Sequence, residues 1–269
     1  MGKKTDKRGC DVPVALTVAG SDNSGGAGIQ ADLKTMTRFG VYGCSAVTCV
    51  VAEHPGRVQN ITPVPAARVR DQIELTAEAF PIHAMKTGML YSRAVIEVIV
   101  EWLEKSEYSP QLVVDPVMVA TSGGLLLQSS AVKALKERLL PQAACVTPNL
   151  QEASVLLGHK VRSLPEMETA CKEAYRQWGV PFLIKGGHLT GKQAVDVLYD
   201  GNRMVHLKSD RVPRIHTHGT GCTFSAAIVS GLASGQELVP AVRKAKRYVS
   251  RTIQDHYRLG RFTPLNHIL

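Results

Sequence analysis

Residues 218–222, with the sequence HGTGC, combine two glycines and a cysteine at the start of an apolar run that is typical of a buried helix. Gly219 and Gly221 allow the backbone to approach a ligand closely. The first turn of a helix carries free N–H groups and the positive end of the helix dipole, an arrangement that binds phosphate. Because a helix N-terminus lowers the pKa of a thiol, we expect a Cys222 thiolate beside the bound anion. A glycine C-cap followed by a helix with a small core cysteine is the competing interpretation.

The composition is that of an ordinary globular protein. The 269 residues, 44% of them hydrophobic, are enough for one large domain or at most two small ones. No apolar run approaches the roughly 20 residues that span a bilayer, and the basic N-terminus lacks the apolar stretch of a signal peptide. We therefore expect a cytoplasmic protein without a membrane partner. The six cysteines show no C-x-x-C spacing, which argues against a zinc site and against a disulfide framework.

The net charge of +9 raises the question of a nucleic-acid partner. The excess of basic residues is concentrated in the N-terminal tail and in the last helical segment, over residues 243–261. Aromatic residues make up only 5% of the chain, and they do not alternate with the basic ones. We therefore expect no nucleic-acid partner, and we note that a positive field also suits a phosphorylated substrate.

Predicted strands and helices alternate along almost the whole chain, which favours an α/β sandwich with a mainly parallel sheet and helices on both faces. No linker or repeat interrupts the alternation, so we expect a flexible basic tail at 1–11 and a single domain at 12–269. The expected strands are 12–20, 46–51, 82–86, 112–115, 144–147, 182–185 and a hairpin of 194–199 and 204–208 around Asp200-Gly201. The expected helices are 29–39, 68–80, 94–103, 131–140, 166–178 and 239–257, with others beginning at 149 and 219.

Polar residues follow the predicted strands at the points where ligands gather in such sheets. Each has an ordinary structural explanation, since Asp115 fits a turn, Asn149 a helix N-cap and Lys185 a surface charge. Their common placement at one edge is harder to explain in that way. Acidic residues for a cation, a lysine for a phosphate and an anion-binding helix start together indicate phosphoryl transfer. The residues at the strand ends are Ser21, Asp22, Glu53, Gly88, Met89, Asp115, Asn149, Glu152 and Lys185.

Several motifs, in order along the chain, resemble those of the hydroxymethylpyrimidine/phosphomethylpyrimidine kinases, which are thiamine-biosynthetic members of the ribokinase-like superfamily. The motifs are AGSD at 19–22, SGGAGIQADLK at 24–34, KTGML at 86–90, VDPVM at 114–118, TPNL at 147–150, KGGH at 185–188 and THGTGCT at 217–223. The resemblance runs from about residue 12 to the final helix. It implies a ribokinase-like three-layer α/β/α sandwich with a mainly parallel central sheet.

The resemblance also implies an activity: ATP-dependent phosphorylation of the hydroxymethyl group of 4-amino-5-hydroxymethyl-2-methylpyrimidine, and then of the monophosphate. It assigns phosphoryl transfer to Gly219, Gly221, Cys222 and Lys185, and the pyrimidine site to Gly20, Asp22, Ala27, Asp32, Glu53 and Met89. It assigns ATP and Mg²⁺ binding to Asp115, Asn149, Glu152, Lys185, Thr217 and Thr220, with Asp115 and Glu152 holding the metal largely through water. Cys222 stands where most ribokinase-like enzymes have an aspartate base, so its sulfur accepts or orients the substrate proton. A homodimer, built by strands near residues 20–56, is a further implication.

Glu53 leaves the identity of the substrate undecided. An ionised carboxylate only accepts hydrogen bonds, so Glu53 fits a neutral aminopyrimidine only if one proton is added to the ring nitrogen or to the carboxyl. Burial against a ring would raise the pKa of the carboxyl and favour this sharing; a carboxylate that points to solvent is the plain alternative. Three other functions remain: a pyridoxal kinase, a ligand-binding or regulatory protein without activity, and a transferase that uses Cys222 covalently.

Overall fold

The computed structural model describes residues 11–107, 109–118, 127–187, 189–212 and 218–269. The strands in this part of the chain are β1 (Val14–Asp22), β2 (Tyr42–His54), β3 (Arg57–Pro63), β4 (Ala84–Thr87), β5 (Gln111–Val114), β6 (Cys145–Val146), β7 (Phe182–Ile184), β8 (Gln193–Tyr199) and β9 (Met204–Asp210). They form one sheet in the order β3-β2-β1-β4-β5-β6-β7-β8-β9. The six central strands, from β2 to β7 in that order, are parallel, while β3, β8 and β9 pair antiparallel with their neighbours. The mainly parallel sheet is therefore confirmed.

Helices cover both faces of the sheet. They are α1 (Gly28–Arg38), α2 (Ala66–Ala79), α3 (Arg93–Lys105), α4 (Ser129–Ala134), α5 (Leu150–Leu157), α6 (Leu164–Trp178), α7 (Thr220–Ala233) and α8 (Leu238–Gln254), with π-helical (Leu135–Leu139) and 3-10 (Leu140–Gln142) turns after α4. Helices α1, α7 and α8 pack on one face, and α2 to α6 pack on the other. Side chains of β1 alternate between these layers: Ala15 joins the first core, and Leu16 and Val18 join the second. The expected three-layer α/β/α sandwich is confirmed.

The edges of the sheet differ from the sequence-based expectation. Strand β2 covers residues 42–54 rather than 46–51, and it turns at residues 55–56 into β3, which was not predicted. Both strands are half exposed, with Tyr42 and Val50 open to solvent, so they lack the continuous apolar run of a buried strand. Glu53 consequently lies within β2 and not after it. The predicted hairpin forms, with the four residues 200–203 as its connection, in which the Asp200 side chain accepts hydrogen bonds from the Asn202 and Arg203 amides.

The described helices include none with the length and apolar character needed to cross a membrane. The described cysteines, at positions 44, 49, 145, 171 and 222, are all free thiols.

The C-terminal segment packs against the first turn of α7. His267 is buried, with its Nε2 3.0 Å from the hydroxyl of Thr223, and its carbonyl accepts a hydrogen bond from the Tyr248 hydroxyl. Burial, aided by the charge of Lys34, lowers the pKa of His267 to about 4 from an ordinary 6.5. The ring is therefore neutral at pH 7 in the folded protein.

This buried histidine is expected to make the protein less stable in mild acid. Below pH 6.5 the unfolded chain gains a proton that folded His267 does not accept until about pH 4, so stability falls over that window. The contribution is at most about 3 kcal/mol. Urea unfolding at pH 7 and pH 5 measures it, and His267→Gln, whose side-chain amide can both donate to and accept from Thr223, is expected to show a smaller loss. Equal losses in the wild type and the variant would show that His267 is not the group responsible.

Candidate active site

A single cavity of about 600 Å³ opens at the carboxyl ends of the parallel strands. It lies where the strand order reverses around β1, which is the usual ligand position in such a sheet. The predicted residues that line it are Gly20, Ala27, Glu53, Met89, Asp115, Asn149, Glu152, Lys185, Gly219, Thr220, Gly221 and Cys222. Residues as far apart in sequence as Gly20 and Cys222 thus face one space.

The start of α7 forms an anion cradle, by which we mean the backbone of residues 219–222. Gly219, the N-cap, has φ 78°, and a Cβ there would collide with the carbonyl oxygen of Gly26. No side chain caps this turn within the described residues, so its first N–H groups remain available. A Cβ on Gly221 would lie 3.2 Å from Lys185 Nζ and 3.6 Å from Asp115 Oδ2. The cradle therefore lies directly against the charged side chains at the ends of β5 and β7.

Cys222 lines the cavity and is partly exposed. Burial nevertheless raises the pKa of its thiol to about 11, although the charge of Lys86 and the amide of Gly28 lower it. This differs from the expectation of a lowered pKa at a helix N-terminus, because the loss of solvent outweighs the favourable groups. The free thiol is therefore mostly protonated at neutral pH.

Asp115, Glu152 and Lys185 form the charged floor of the cavity. Lys185 Nζ lies 2.9 Å from Asp115 Oδ1, and Ser225 donates to Asp115 Oδ2 over 3.1 Å. Burial raises the pKa of Asp115, but the charges of Lys185 and Lys86 outweigh it and hold the carboxyl ionised. Burial and the nearby Asp115 raise the pKa of Glu152 to about 7, against the opposing effect of Lys185. Lys185 is paired with Asp115 and acts on Glu152 only through its charge, so the floor has room for a further cation.

Asn149 also has the N-cap role that the sequence suggested, and Glu152 completes the same cap. The Asn149 side chain accepts hydrogen bonds from the amides of Gln151 and Glu152, and Glu152 accepts one from the Asn149 amide over 2.7 Å. This capping box starts α5. Helix capping thus fixes both side chains at the rim of the cavity. Among the described residues, no group of three or more His, Cys, Asp and Glu forms a ready-made metal cluster.

Another end of the cavity, around Val51 and Met89, is more apolar. A Cβ on Gly20 would lie 2.6 Å from Cys49 Sγ, so the glycine leaves a smooth wall beside Met89. Met89 is itself held by a hydrogen bond from the Thr48 hydroxyl to its carbonyl. Glu53 donates its amide to the Asn23 side chain over 2.7 Å. Burial, with a contribution from the charge of Asp22, raises the pKa of the Glu53 carboxyl. This end therefore offers an apolar wall, against which a ring could pack, and a carboxyl disposed to hold a proton.

Asp22 and Asp32 do not line the cavity, in contrast to the expectation for substrate-binding residues. The Asp22 carboxylate turns into its own loop, where it accepts from the amides of Ser24 and Ala27 and lies 2.8 Å from His218 Nε2. Burial raises the pKa of Asp22, yet these hydrogen bonds lower it to about 2. Asp32 is fully buried and paired with Lys86. The loop after β1 and the cradle are thus joined through Asp22. The predicted Thr217 lies outside the described residues.

A family model described as phosphomethylpyrimidine kinase matches residues 22–266. The chain belongs to this family. It is 43% identical over 247 residues to a hydroxymethylpyrimidine/phosphomethylpyrimidine kinase of Rhizobium meliloti, covering 91% of this chain and 92% of that protein. It is 45% identical over 256 residues to the thiamine biosynthesis bifunctional protein ThiED of Geobacter sulfurreducens, covering 94% of this chain but only 52%, about half, of that longer protein. An ADP complex of Bacillus subtilis pyridoxal kinase superposes with a TM-score of 0.87 at 37% identity, covering 95% of this chain and 97% of the other.

Sequence reasoning overlooked a further end of the cavity, lined by Asp196 and Arg211, in this member of the phosphomethylpyrimidine kinase family. There Asp196 accepts a hydrogen bond from the Gly186 amide over 2.9 Å and pairs with Lys246 Nζ at 2.7 Å. Arg211 lines the same end and donates to the carbonyls of three residues of the loop after β7, at positions 187, 189 and 191. The only signal in the sequence was an aspartate within an apolar hairpin strand. Lys86 was also overlooked, although a lysine in a buried strand implies a charged partner.

Proposed function

We propose that this protein phosphorylates 4-amino-5-hydroxymethyl-2-methylpyrimidine and then its monophosphate, with ATP as the phosphoryl donor, in the biosynthesis of thiamine. The observation that carries the proposal is that one cavity contains both the phosphate-binding groups and a wall for a ring. The first are the anion cradle, Cys222 and Lys185, and the second lies at Glu53 and Met89. Family membership and the full-length match to the R. meliloti kinase support the same activity. A phosphate donor and a ring alcohol can therefore meet at the cradle.

In the proposed reaction, the oxygen of the hydroxymethyl group attacks the γ-phosphorus of ATP. The bond between that phosphorus and the bridging oxygen breaks, and its electron pair leaves with ADP. The hydroxyl proton passes to the Cys222 sulfur in its thiolate form. The cradle amides and Lys185 neutralise the charge on the phosphoryl group in transit. Since burial disfavours the thiolate, we expect the rate to rise with pH.

Mg²⁺ fits the charged floor of the cavity. The available donors are carboxylate and amide oxygens of Asp115, Glu152 and Asn149, which are hard ligands of the type that Mg²⁺ prefers. Asp115 and Glu152 would hold the ion, largely through water, since both carboxylates already have protein partners. When bound, Mg²⁺ would neutralise phosphate charge and orient the γ-phosphoryl group.

Glu53 is proposed to bind the pyrimidine by sharing a proton with its ring nitrogen. We expect KM for the pyrimidine to rise about tenfold as pH passes the raised pKa of Glu53, because the shared proton is then lost. Glu53→Gln should remove this dependence, since an amide donates and accepts at any pH. Steady-state kinetics from pH 5 to pH 9 measure both effects, with the exposed Glu74→Gln as the control. An unchanged affinity and pH profile in Glu53→Gln would refute proton sharing.

Pyridoxal is the second candidate substrate, favoured by the match to the B. subtilis pyridoxal kinase. Both alcohols carry a hydroxymethyl group on a six-membered aromatic ring, which suits the wall at Gly20 and Met89. Turnover of the two alcohols with ATP and Mg²⁺, followed by mass spectrometry of the products, separates them. We expect a higher kcat/KM for the aminopyrimidine and formation of its diphosphate; a preference for pyridoxal would reverse the assignment. ATP hydrolysis that needs neither alcohol would instead indicate a protein without this kinase activity.

We further propose that residues 12–269 act as one domain, in the cytoplasm, as a homodimer. One continuous sheet supports the single domain. The exposed apolar side chains of Tyr42 and Val50 on β2 support a dimer contact on this part of the sheet. Light scattering after size-exclusion chromatography tests the dimer, with a monomeric mass as the contrary result.

A further inference from the structure

A fully buried ion pair lies between the sheet and the helices that carry the cradle. The side chains of Lys86 and Asp32 have no solvent exposure, and Lys86 Nζ lies 2.5 Å from Asp32 Oδ1. Thr17 donates to the other carboxylate oxygen over 2.7 Å. Thr17 and Lys86 are register partners in β1 and β4, so their side chains extend from the same face of the sheet toward α1. Hydrophobic residues of similar volume often stabilise such a position as well as a buried pair does, so stability alone does not explain the charges.

The ammonium group of this pair lies just beneath the wall of the cavity. A Cβ on Gly88, which lines the cavity, would lie only 3.5 Å from Lys86 Nζ. The charge of Lys86 acts on both Cys222 and Asp115, favouring their ionised forms. Its effect on Cys222 is larger than the opposing effect of Asp32. The pair as a whole therefore favours negative charge on the sulfur.

We propose that Lys86, held in place by Asp32 and Thr17, is a positioning residue that stabilises the Cys222 thiolate, the form of the sulfur that then accepts the substrate proton. The inference rests on the proposed kinase function for its role in turnover, but its effect on the thiol does not need a substrate. The charged groups that face Cys222 are Lys86 from β4, Asp32 from α1, Asp115 after β5 and Lys185 after β7. The Gly28 amide at the start of α1 adds a hydrogen bond to the sulfur.

Two variants separate an electrostatic role from a structural one. Lys86→Met combined with Asp32→Asn removes both charges without leaving an unpaired one in the core, and the asparagine still offers Thr17 an acceptor. Asp32→Asn alone retains the lysine and removes the carboxylate that opposes it. We expect the double variant to move thiolate formation at Cys222 to higher pH and Asp32→Asn to move it to lower pH.

The readout is the ultraviolet absorbance of the thiolate against pH, with the corresponding Cys222→Ser protein as the reference. Lys246→Met combined with Asp196→Asn removes another ion pair at the cavity, and it should leave the Cys222 titration unchanged. With the pyrimidine as substrate, kcat of the double variant should fall about tenfold while KM changes little. Unchanged Cys222 titration in both Lys86-site variants would overturn the proposal, whatever happens to activity.

Thermal unfolding establishes whether each variant is folded. If this double variant does not fold, Lys86→Gln combined with Asp32→Asn, which also leaves no unpaired charge and allows a hydrogen bond between the two side chains, decides: a shift of the titration to higher pH supports the proposal, and no shift refutes it. Failure of the proposed function is recognised separately, because it would leave the thiol titration intact and abolish turnover of both alcohols in the wild type.

Discussion

Replacing Cys222 with alanine is expected to lower kcat for the aminopyrimidine by about 10²- to 10⁴-fold, the usual contribution of a positioned proton acceptor. The wild-type rate should rise with pH through the neutral range, because burial raises the pKa of the thiol to about 11 and only the thiolate accepts a proton. The alanine variant should lose this rise. KM for ATP should change little, since Lys185 and the cradle amides remain. Steady-state kinetics over a range of pH measure all three quantities.

The control for this variant is Cys44→Ala, which removes another partly exposed cysteine that does not line the cavity. It should retain wild-type kcat and the same pH profile. A Cys222→Ala protein with nearly full activity and an unaltered profile would eliminate the sulfur as proton acceptor. A mass increase on the wild-type protein during turnover would instead favour the covalent transferase.

Replacing Gly219 with alanine is expected to lower kcat by about 10²-fold or more, comparable to the loss of an oxyanion donor. The residue has φ 78°, and its new Cβ would collide with the Gly26 carbonyl oxygen. Relief of that collision must move the cradle or the loop after β1, so the amides no longer converge on the phosphoryl group. The measurement is kcat, together with ADP binding by calorimetry.

Gly235→Ala is a matched control for backbone strain. Gly235, just beyond the other end of α7, has φ 76°, and no atom lies within 4 Å of a Cβ there. Both substitutions place alanine in the left-handed region of backbone conformation, which costs about 1–2 kcal/mol in stability. Only Gly219→Ala also disturbs the cradle. Equal activity losses in the two variants would attribute the effect to strain and not to the anion site.

The parallel core of the fold could be predicted because its strands are buried on both faces and therefore appear as apolar runs. Strand β3 and the ends of β2 could not, since residues such as Tyr42 and Val50 face solvent and interrupt that pattern. Turn residues at Asp200 and the alternating strands on either side of it predicted the hairpin, and Tyr199 and Met204 pair across its connection as those bounds require.

The candidate site likewise has features that the sequence predicts and others that it does not. The sequence was sufficient to predict that Asp115, Lys185 and Cys222 lie close together. Each of them adjoins the end of a predicted strand or the start of a helix, and the carboxyl ends of parallel strands meet at one edge of the sheet. The orientation of Asp32 could not be predicted, since it depends on the rotation of α1 over the sheet and on its pairing with Lys86. The pKa of Cys222 also required the tertiary structure, because burial and not the helix end dominates it.

The most direct test of the account is a crystal structure of the protein with ADP, Mg²⁺, aluminium fluoride and the aminopyrimidine alcohol. We predict that the aluminium fluoride, a mimic of the migrating phosphoryl group, lies within hydrogen-bonding distance of the backbone amides of residues 220–222 and of Lys185 Nζ. The hydroxymethyl oxygen should lie between it and the Cys222 sulfur, with the ring against Glu53. Aluminium fluoride bound away from the start of α7, or an alcohol remote from Cys222, would contradict the account.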